Sequence, residues 1–217
     1  MINAVVFDLD GVIVDSDHVW DEARMELAAE HGGRWNERAS RDMMGMSSPE
    51  WSRYMHDVIG LSEPPEAINE EVVRRLDELY RRELPLIDGA VQAVERLAPR
   101  WPLGLASSSN RELIDLVLEL SGLATRFRAT VSSEEVPRGK PAPDVYLEAA
   151  RRLRVAPESC AAVEDSENGI RSAKAAGMRV LAIPNPQYSP AEETLALADE
   201  VLESISELTP ERVAASS

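Results

Sequence analysis

An apolar run of four residues that ends in two aspartates constrains this chain more than any other feature. Residues 4–7 predict a buried strand, and Asp8, Asp10 and Gly11 follow it directly. Carboxylates at the C-terminal end of a parallel strand lie where open α/β sheets bind their ligands. One carboxylate can act as a nucleophile and the other as an acid or base, and together they attract a hard cation. The alternative interpretation is a strand followed by an ordinary Asp-Gly turn.

Length and composition limit the classes of protein to which the chain can belong. Its 217 residues allow one full core, or a core with a small second domain. Hydrophobic residues make up 44% and charged residues 29%, as in a soluble globular protein. The net charge of −16 disfavours nucleic acid and anionic membranes as partners. A single cysteine, Cys160, excludes an internal disulfide and fits a reducing cytoplasm, where we expect a monomer that binds a small molecule.

Hydrophobic runs alternate with amphipathic stretches from about residue 86 onward. This β-α-β-α order predicts a parallel sheet with helices on both faces. The strands are expected at 4–7, 103–107, 130–131, 160–165, 180–183 and 200–202, and the helices at 111–120, 143–153, 169–176 and 205–213.

Residues 16–85 break this alternation. They contain no convincing strand, and helical patterns cover 18–30, 50–59 and 67–83. An all-helical insert directly after the first strand predicts a small cap domain over the carboxyl end of the sheet. The expected fold is therefore α/β: a Rossmann-like parallel sheet core, made of residues 1–15 and 86–217, with an inserted all-helical cap of residues 16–85.

Three further loops carry polar side chains at strand ends or helix starts. Ser107 and Ser108 end one strand, Lys140 lies between Gly139 and Pro141, and Glu164 with Asp165 ends another strand. Taken singly, these groups also fit a helix cap, an exposed lysine and a helix start. Because all of these loops can converge at one sheet edge, they can form a single site. Two acids, a hydroxyl, an ammonium and metal-binding carboxylates suit phosphoryl transfer.

With these residues in place, the chain resembles the haloacid dehalogenase superfamily of phosphohydrolases. The four motifs of that family occur in order: Asp-Leu-Asp-Gly-Val from Asp8, then Ser107, then Lys140 in Gly-Lys-Pro, then Glu164 with Asp165. The helical insert is similar to the α-helical cap of the family. Residues 15–21 and 164–169 resemble most closely the sugar-phosphate phosphatases, including the 2-deoxyglucose-6-phosphate type.

The resemblance implies a role for each motif residue. Asp8 would attack phosphorus and form an aspartyl-phosphate, and Asp10 would protonate the leaving oxygen and then activate water. Mg²⁺ would be held by Asp8, the Asp10 carbonyl and Asp165, with Glu164 beside it directly or through water. The phosphoryl oxygens would be held by Ser107, Ser108 and Lys140. The expected substrate contacts of the cap are Asp15, Trp20, Gly45 and Ser47.

Two other functions stay open at this point. A β-phosphoglucomutase-like mutase would need a cap arginine for a second phosphate, and here Ser48 stands where that branch carries it. Trp20 likewise replaces the histidine of that branch, although another cap arginine such as Arg53 could substitute. A phospho-Asp signalling domain uses similar groups, but the helical insert after the first strand argues against it.

Overall fold

A six-stranded parallel sheet forms the centre of the protein. The structure is a computed structural model, and it describes residues 1–36, 38–186 and 189–215. The strands are β1 (Ala4–Phe7), β2 (Leu103–Ser107), β3 (Phe127–Ser132), β4 (Cys160–Glu164), β5 (Arg179–Ala182) and β6 (Glu200–Val201). Each strand begins within three residues of its predicted start, which confirms the predicted parallel sheet.

The strand order is β3-β2-β1-β4-β5-β6, so the first strand lies inside the sheet. Val5 of β1 pairs with Leu103 of β2 on one side and with Ala161 of β4 on the other. All four residues of β1 are fully buried, as expected for a strand covered on both faces. The chain winds outward in one direction through β2 and β3, and in the other through β4 to β6. The carboxyl ends of β1 and β4 therefore flank the switch point at which doubly wound sheets bind ligands.

Helices cover both faces of the sheet and fill the insert. They are α1 (Asp17–Glu30), α2 (Ala39–Met43), α3 (Ser48–Tyr54), α4 (Pro65–Arg82), α5 (Ala90–Leu97), α6 (Arg111–Leu120), α7 (Asp144–Leu153), α8 (Glu167–Ala175), α9 (Glu192–Leu195) and α10 (Pro210–Ala214). The apolar side chains form two clusters. One joins the insert to one face of the sheet, and the other packs α7 and α8 on the opposite face.

The insert is helical, as predicted, but its helices differ in detail. The predicted helix at 50–59 divides into α3 and a π-helical segment, Met55–Ile59, and α2 was not predicted. The two ends of the insert are held together, because the Asp15 N–H donates to the Pro85 carbonyl over 2.8 Å and Val14 bridges Leu86. The predicted boundaries at 16 and 85 fall next to this paired segment.

The C-terminal part differs from its prediction. The single helix expected at 205–213 is a 3₁₀ turn, Ile205–Glu207, followed by the separate helix α10. Pro210 lacks the N–H that a continuous helix needs, so it begins a new helix instead of continuing the old one. The short helices α5 and α9 were also not predicted. Within the described residues, no helix combines the length and the apolar character needed to cross a membrane.

Candidate active site

The predicted motif residues meet at the carboxyl edge of the sheet, beneath the insert. Asp8 and Asp10 follow β1, Ser107 ends β2, Lys140 precedes α7, and Asp165 follows β4. Asp8, Asp10, Lys140 and Asp165 border an open pocket of about 720 Å³, solvent at its mouth included, whereas Ser107 does not line it. Its lining combines core and cap side chains: Asp8, Asp10, Ser108, Ser109, Lys140, Asp165 and Ser166 from the core, and Asp17, Trp20, Asp21, Arg24, Ser40, Met43, Met44, Gly45, Met46 and Trp51 from the cap.

A buried lysine joins two of the carboxylates. Lys140 Nζ lies 3.0 Å from Asp8 Oδ1 and 2.5 Å from Glu164 Oε1. Lys140 is 3% exposed, Asp8 6% and Glu164 0%. Breaking a buried ion pair by removing one partner is strongly destabilising, because the other charge stays behind without compensation. The lysine therefore stabilises the fold, because it is the cation that both buried carboxylates contact.

Glu164 has no free capacity for a further ligand. Its Oε1 accepts hydrogen bonds from Lys140 Nζ and from the Tyr146 hydroxyl at 2.7 Å. Its Oε2 accepts from the Asp165 N–H at 3.0 Å, and from the N–H and hydroxyl of Ser166 at 3.2 Å each. These contacts aim the carboxylate at Lys140, away from the place that a ligand to the pocket would take.

Two glycines make room for the acids at the end of β4. A Cβ atom on Gly11 would lie 1.9 Å from Asp165 Oδ2, and one on Gly169 would lie 1.9 Å from the Glu164 carboxylate. Gly11 also has a φ of +74°, which L side chains rarely adopt. The Asp-Gly turn after β1 therefore does more than reverse the chain, because it lets Asp165 approach Asp8.

The acids carry more negative charge than Lys140 compensates. Burial raises the pKa of Asp8 well above its ordinary value, and the neighbouring Glu164 raises it further. Burial and Glu164 likewise raise the pKa of Asp165. Burial alone would lower the pKa of Lys140, but Asp8 and Glu164 raise it above its ordinary value. The cluster thus has a charged ammonium and two carboxylates that a second cation would stabilise in their ionised form.

These residues fit a divalent cation. Asp8, Glu164 and Asp165 can each offer one oxygen within 4.8 Å of the others. Asp165 Oδ1 is buried and has no hydrogen-bond partner, and Asp8 Oδ1 has none beyond its ion pair with Lys140. A buried carboxylate oxygen without a partner is costly unless a metal or a proton occupies it. Because Glu164 is saturated, Asp8 and Asp165 are the side chains with oxygens left to bind a metal.

Asp10 lies between core and cap. Its Oδ1 accepts hydrogen bonds from the Ser16 hydroxyl at 2.6 Å and from Trp20 Nε1 at 3.3 Å. Its Oδ2 accepts from the hydroxyls of Ser107 at 3.2 Å and Ser109 at 2.6 Å. Ser107 is fully buried and lies behind Asp10 instead of facing the pocket. Ser108 and Ser109 line the pocket, and Ser109 was not predicted.

The predicted cap residues divide into two groups. Trp20 and Gly45 line the pocket, and the Gly45 carbonyl accepts a hydrogen bond from Ser108 at 3.2 Å. Asp15 is exposed and lies outside the lining. Ser47 caps α3, because its N–H and hydroxyl both donate to Glu50 at 2.8 and 2.6 Å, so it does not face a substrate.

One face of α1 supplies cap residues that the sequence analysis missed. Asp17, Asp21 and Arg24, none of which was predicted, line the pocket together with the predicted Trp20. Their spacing of i, i+3, i+4 and i+7 is that of a single helix face, and it is the signal by which they could have been found. Arg53, the cap arginine considered above, is exposed and borders a different cleft between Ser48 and Glu134.

Asp17 should lower the free energy of unfolding of the metal-free protein at neutral pH. Burial raises its pKa to about 6, and Asp10, Asp15 and Asp21 contribute. When a carboxyl group has a higher pKa in the folded than in the unfolded state, the folded protein loses stability as the pH rises from the unfolded value to the folded value. For Asp17 this range runs from about 4 to about 6. We expect Asp17→Asn to raise the free energy of unfolding by on the order of 2–3 kcal/mol at pH 7.5 in EDTA, and to change it little at pH 4.

Urea denaturation at the two pH values measures this difference. Asp15→Asn is the matched control, because the exposed Asp15 should change stability by no more than about 0.5 kcal/mol. Equal stabilisation at both pH values would contradict the assignment.

Comparison with known proteins agrees with this geometry. A family model described as haloacid dehalogenase-like hydrolase matches residues 2–177. The chain belongs to this family. It is 35% identical to hexitol phosphatase B of Escherichia coli (strain K12) over 217 residues, which cover 96% of this hydrolase and 95% of the relative. It is 31% identical over 214 residues to a probable pseudouridine-5'-phosphatase of Drosophila melanogaster, covering 95% and 91% of the two chains.

A solved structure shares the fold as well. A mutant of CbbY from Rhodobacter sphaeroides in complex with xylulose-(1,5)bisphosphate superposes with a TM-score of 0.86 and 27% identity, over 96% of each chain. The predicted family is therefore confirmed, and this haloacid dehalogenase-like hydrolase is a phosphatase.

Proposed function

We propose that the protein hydrolyses the phosphate monoester of a small sugar or polyol through an aspartyl-phosphate on Asp8. The observation that carries this proposal is the position of Asp8 at the end of β1, ion-paired to the buried Lys140 and next to Asp165 in an open pocket lined by both core and cap. Lys140 lowers the pKa of Asp8 against the opposing effects of burial and Glu164, and a bound cation would add to this, so that Asp8 is ionised as nucleophilic attack requires.

The reaction has two steps. In the first, an Asp8 oxygen forms a bond to phosphorus as the ester P–O bond breaks, and Asp10 gives a proton to the departing alkoxide oxygen. In the second, Asp10 takes a proton from water, whose oxygen attacks phosphorus and breaks the bond to Asp8. Lys140 Nζ, with Ser108 and Ser109 at the other side of the pocket, balances charge on the phosphoryl oxygens. Some of the four hydrogen bonds that Asp10 accepts must break before its carboxylate can exchange a proton with the leaving group or with water.

The metal assignment changes in one respect from the sequence prediction. We propose that Asp8, Asp165 and the Asp10 carbonyl hold Mg²⁺, and that Glu164 acts on the site through Lys140. The saturated hydrogen bonds of Glu164 support this division. Bound Mg²⁺ supplies electrostatic stabilisation of the charge that develops on the phosphoryl group.

Removal of the metal should abolish activity. We expect no phosphate release in excess EDTA, recovery with Mg²⁺, and inhibition by Ca²⁺, because Ca²⁺ takes more oxygen ligands and would occupy both oxygens of Asp8. A phosphate-release assay measures activity, and calorimetry measures Mg²⁺ binding directly. Asp165→Asn should abolish that binding, whereas the exposed control Glu167→Gln in the next helix should retain it. Full activity in excess EDTA would refute the metal requirement.

The sugar moiety of the substrate is supported by the hexitol phosphatase relative and by the polar groups of Asp17, Asp21, Arg24 and Ser40 among the cap side chains that line the pocket. The test is a panel of phosphorylated metabolites with Mg²⁺, read as released phosphate. The relatives compared do not favour the alternative of a mutase, and a coupled assay with a catalytic amount of glucose 1,6-bisphosphate tests it. Turnover of glucose 1-phosphate to glucose 6-phosphate faster than phosphate release would replace the phosphatase assignment.

We also propose that the protein acts as a monomer in the cytoplasm, and light scattering tests the oligomeric state.

A further inference from the structure

A buried arginine in the cap makes no hydrogen bond to the rest of the described chain. Arg24, on α1, is only 7% exposed, and its Nε is buried without a partner. Among residues 1–36, 38–186 and 189–215, no acceptor takes a hydrogen bond from its guanidinium, and no carboxylate lies within ion-pair distance. Burial lowers its pKa to about 10, so the group is still a cation at neutral pH. A buried cationic donor without acceptors is costly unless something else binds it.

Two tryptophans fix where this guanidinium lies. Its carbon is 4.6 Å from the Trp20 ring centroid and 4.8 Å from that of Trp51, and the two rings meet edge to face at 5.8 Å. Cation–π contacts of this kind hold a guanidinium in place and leave its N–H groups free to donate in the plane. Because Arg24, Trp20 and Trp51 all line the pocket, those donors are available to a molecule bound there.

The charges around Arg24 select the kind of group that it can bind. Asp17 and Asp21 lie on the same face of α1 and line the same pocket, and with Asp10 they place three carboxylates around one guanidinium. A second phosphate or a carboxylate on the substrate would meet both acids. A neutral hydroxylated chain would not be repelled, since its hydroxyls can accept from Arg24 and donate to Asp17 and Asp21.

We propose that Arg24, with Asp17 and Asp21, is the specificity site of the enzyme, and that it selects phosphate monoesters whose remaining part is an uncharged polyol. This inference rests on the proposed phosphatase function and deepens it. It places recognition of the leaving group on α1, and not on the Ser47–Ser48 segment, where the β-phosphoglucomutase branch carries its cap arginine.

The first experiment separates recognition from chemistry. Arg24→Gln is compared with wild type on sorbitol 6-phosphate, which carries five hydroxyls, and on p-nitrophenyl phosphate, which carries none. We expect kcat/KM for sorbitol 6-phosphate to fall roughly 10- to 100-fold, the loss of one charge-assisted hydrogen bond, and that for p-nitrophenyl phosphate to change by less than about threefold. Arg24→Lys should restore part of the loss, and Arg53→Gln, at an exposed cap arginine, should have no effect.

The second experiment tests the charge preference. Wild type should hydrolyse glucose 6-phosphate faster than 6-phosphogluconate, and fructose 1-phosphate faster than fructose 1,6-bisphosphate. In the double variant Asp17→Asn, Asp21→Asn, the rate ratio within each of these two substrate pairs should be smaller than in wild type. This inference would be overturned if Arg24→Gln lowered kcat/KM equally on all substrates, or if wild type preferred the substrates that carry a second anionic group. Either result would leave the proposed phosphatase function in place. Absence of phosphate release from every ester, p-nitrophenyl phosphate included, would overturn the proposed function itself.

Discussion

Asp8→Asn is expected to lower the turnover number by at least ~10⁴-fold, the scale of loss that removal of a nucleophile produces. The amide has the same shape as the carboxylate but can neither attack phosphorus nor balance a cation. Asp8 is buried at the end of a central strand, and its Oδ1 lies 3.0 Å from Lys140 Nζ, so the strand and the ion pair fix the position of its carboxylate.

The fold should survive this substitution. Burial and Glu164 already raise the pKa of Asp8, which means that its ionised form is costly in the metal-free protein. Because Lys140 keeps its second buried partner, Glu164, after this substitution, we expect the thermal midpoint in EDTA to stay the same or to rise. Phosphate release at saturating substrate and thermal melting measure the two effects, with the exposed Asp88→Asn as control. Residual activity within about tenfold of wild type would eliminate Asp8 as the nucleophile.

Local patterns explain why the core could be predicted from the sequence. Residues 4–7 are continuously apolar and end in Asp8, which only a buried parallel strand at a ligand-binding edge accommodates well. The same reasoning placed β2 before Ser107 and β4 before Asp165. The apolar spacing between residues 205 and 213 also fits one continuous helix, so it does not reveal that α10 begins anew at Pro210.

The roles of side chains at the site depended on contacts that spacing does not encode. Glu164 and Asp165 are adjacent acids at one strand end, and nothing local tells which faces Lys140 and which faces the pocket. The structure separates them through the Tyr146 hydroxyl and two glycines, of which Gly11 is distant in sequence and Gly169 lies in the next helix. The capping pattern from Ser47 to Glu50, in contrast, was legible in the sequence and should have removed Ser47 from the candidate substrate contacts.

The cap shows the same limit at a larger scale. The spacing of Asp17, Trp20, Asp21 and Arg24 defines one helix face, but helix periodicity alone does not say whether that face meets the core or the solvent. Asp15 was predicted because residues 15–21 resemble the sugar-phosphate phosphatases. The pairing of its N–H with the Pro85 carbonyl leaves its side chain exposed and assigns the pocket to α1 instead.

Lys140→Met should weaken both the fold and the catalysis, whereas the same change at the only other lysine should do neither. Removal of Lys140 leaves Asp8 and Glu164 buried without their cation, and breaking such a pair costs about 3–5 kcal/mol of unfolding free energy. Lys174 forms an ion pair with Asp199 at 2.9 Å on the surface, with its side chain 33% exposed, and such pairs contribute about 0–1 kcal/mol.

The pH dependence distinguishes a lost charge from lost packing. Lys140 lowers the pKa of Asp8, so its removal raises that pKa further above the unfolded value. A carboxyl group with a raised folded pKa destabilises the folded state increasingly as the pH rises above its unfolded pKa of about 4. The deficit of Lys140→Met in urea denaturation, measured in EDTA, should therefore be larger at pH 8 than at pH 5. A deficit independent of pH would mean that the aliphatic stem of Lys140, and not its charge, stabilises the site.

Activity provides the second measurement. Lys140 is the only cationic side chain in contact with Asp8 in the part of the chain that the structure describes, and loss of one such electrostatic contact to a transferring group costs about 10²–10³-fold in kcat. We expect that loss for Lys140→Met at a temperature at which the variant is still folded, as judged by circular dichroism. Lys174→Met should keep wild-type kcat and KM. A folded Lys140→Met protein with wild-type kcat would show that Asp8 needs only the metal to stay ionised, and would reduce Lys140 to a structural partner of Glu164.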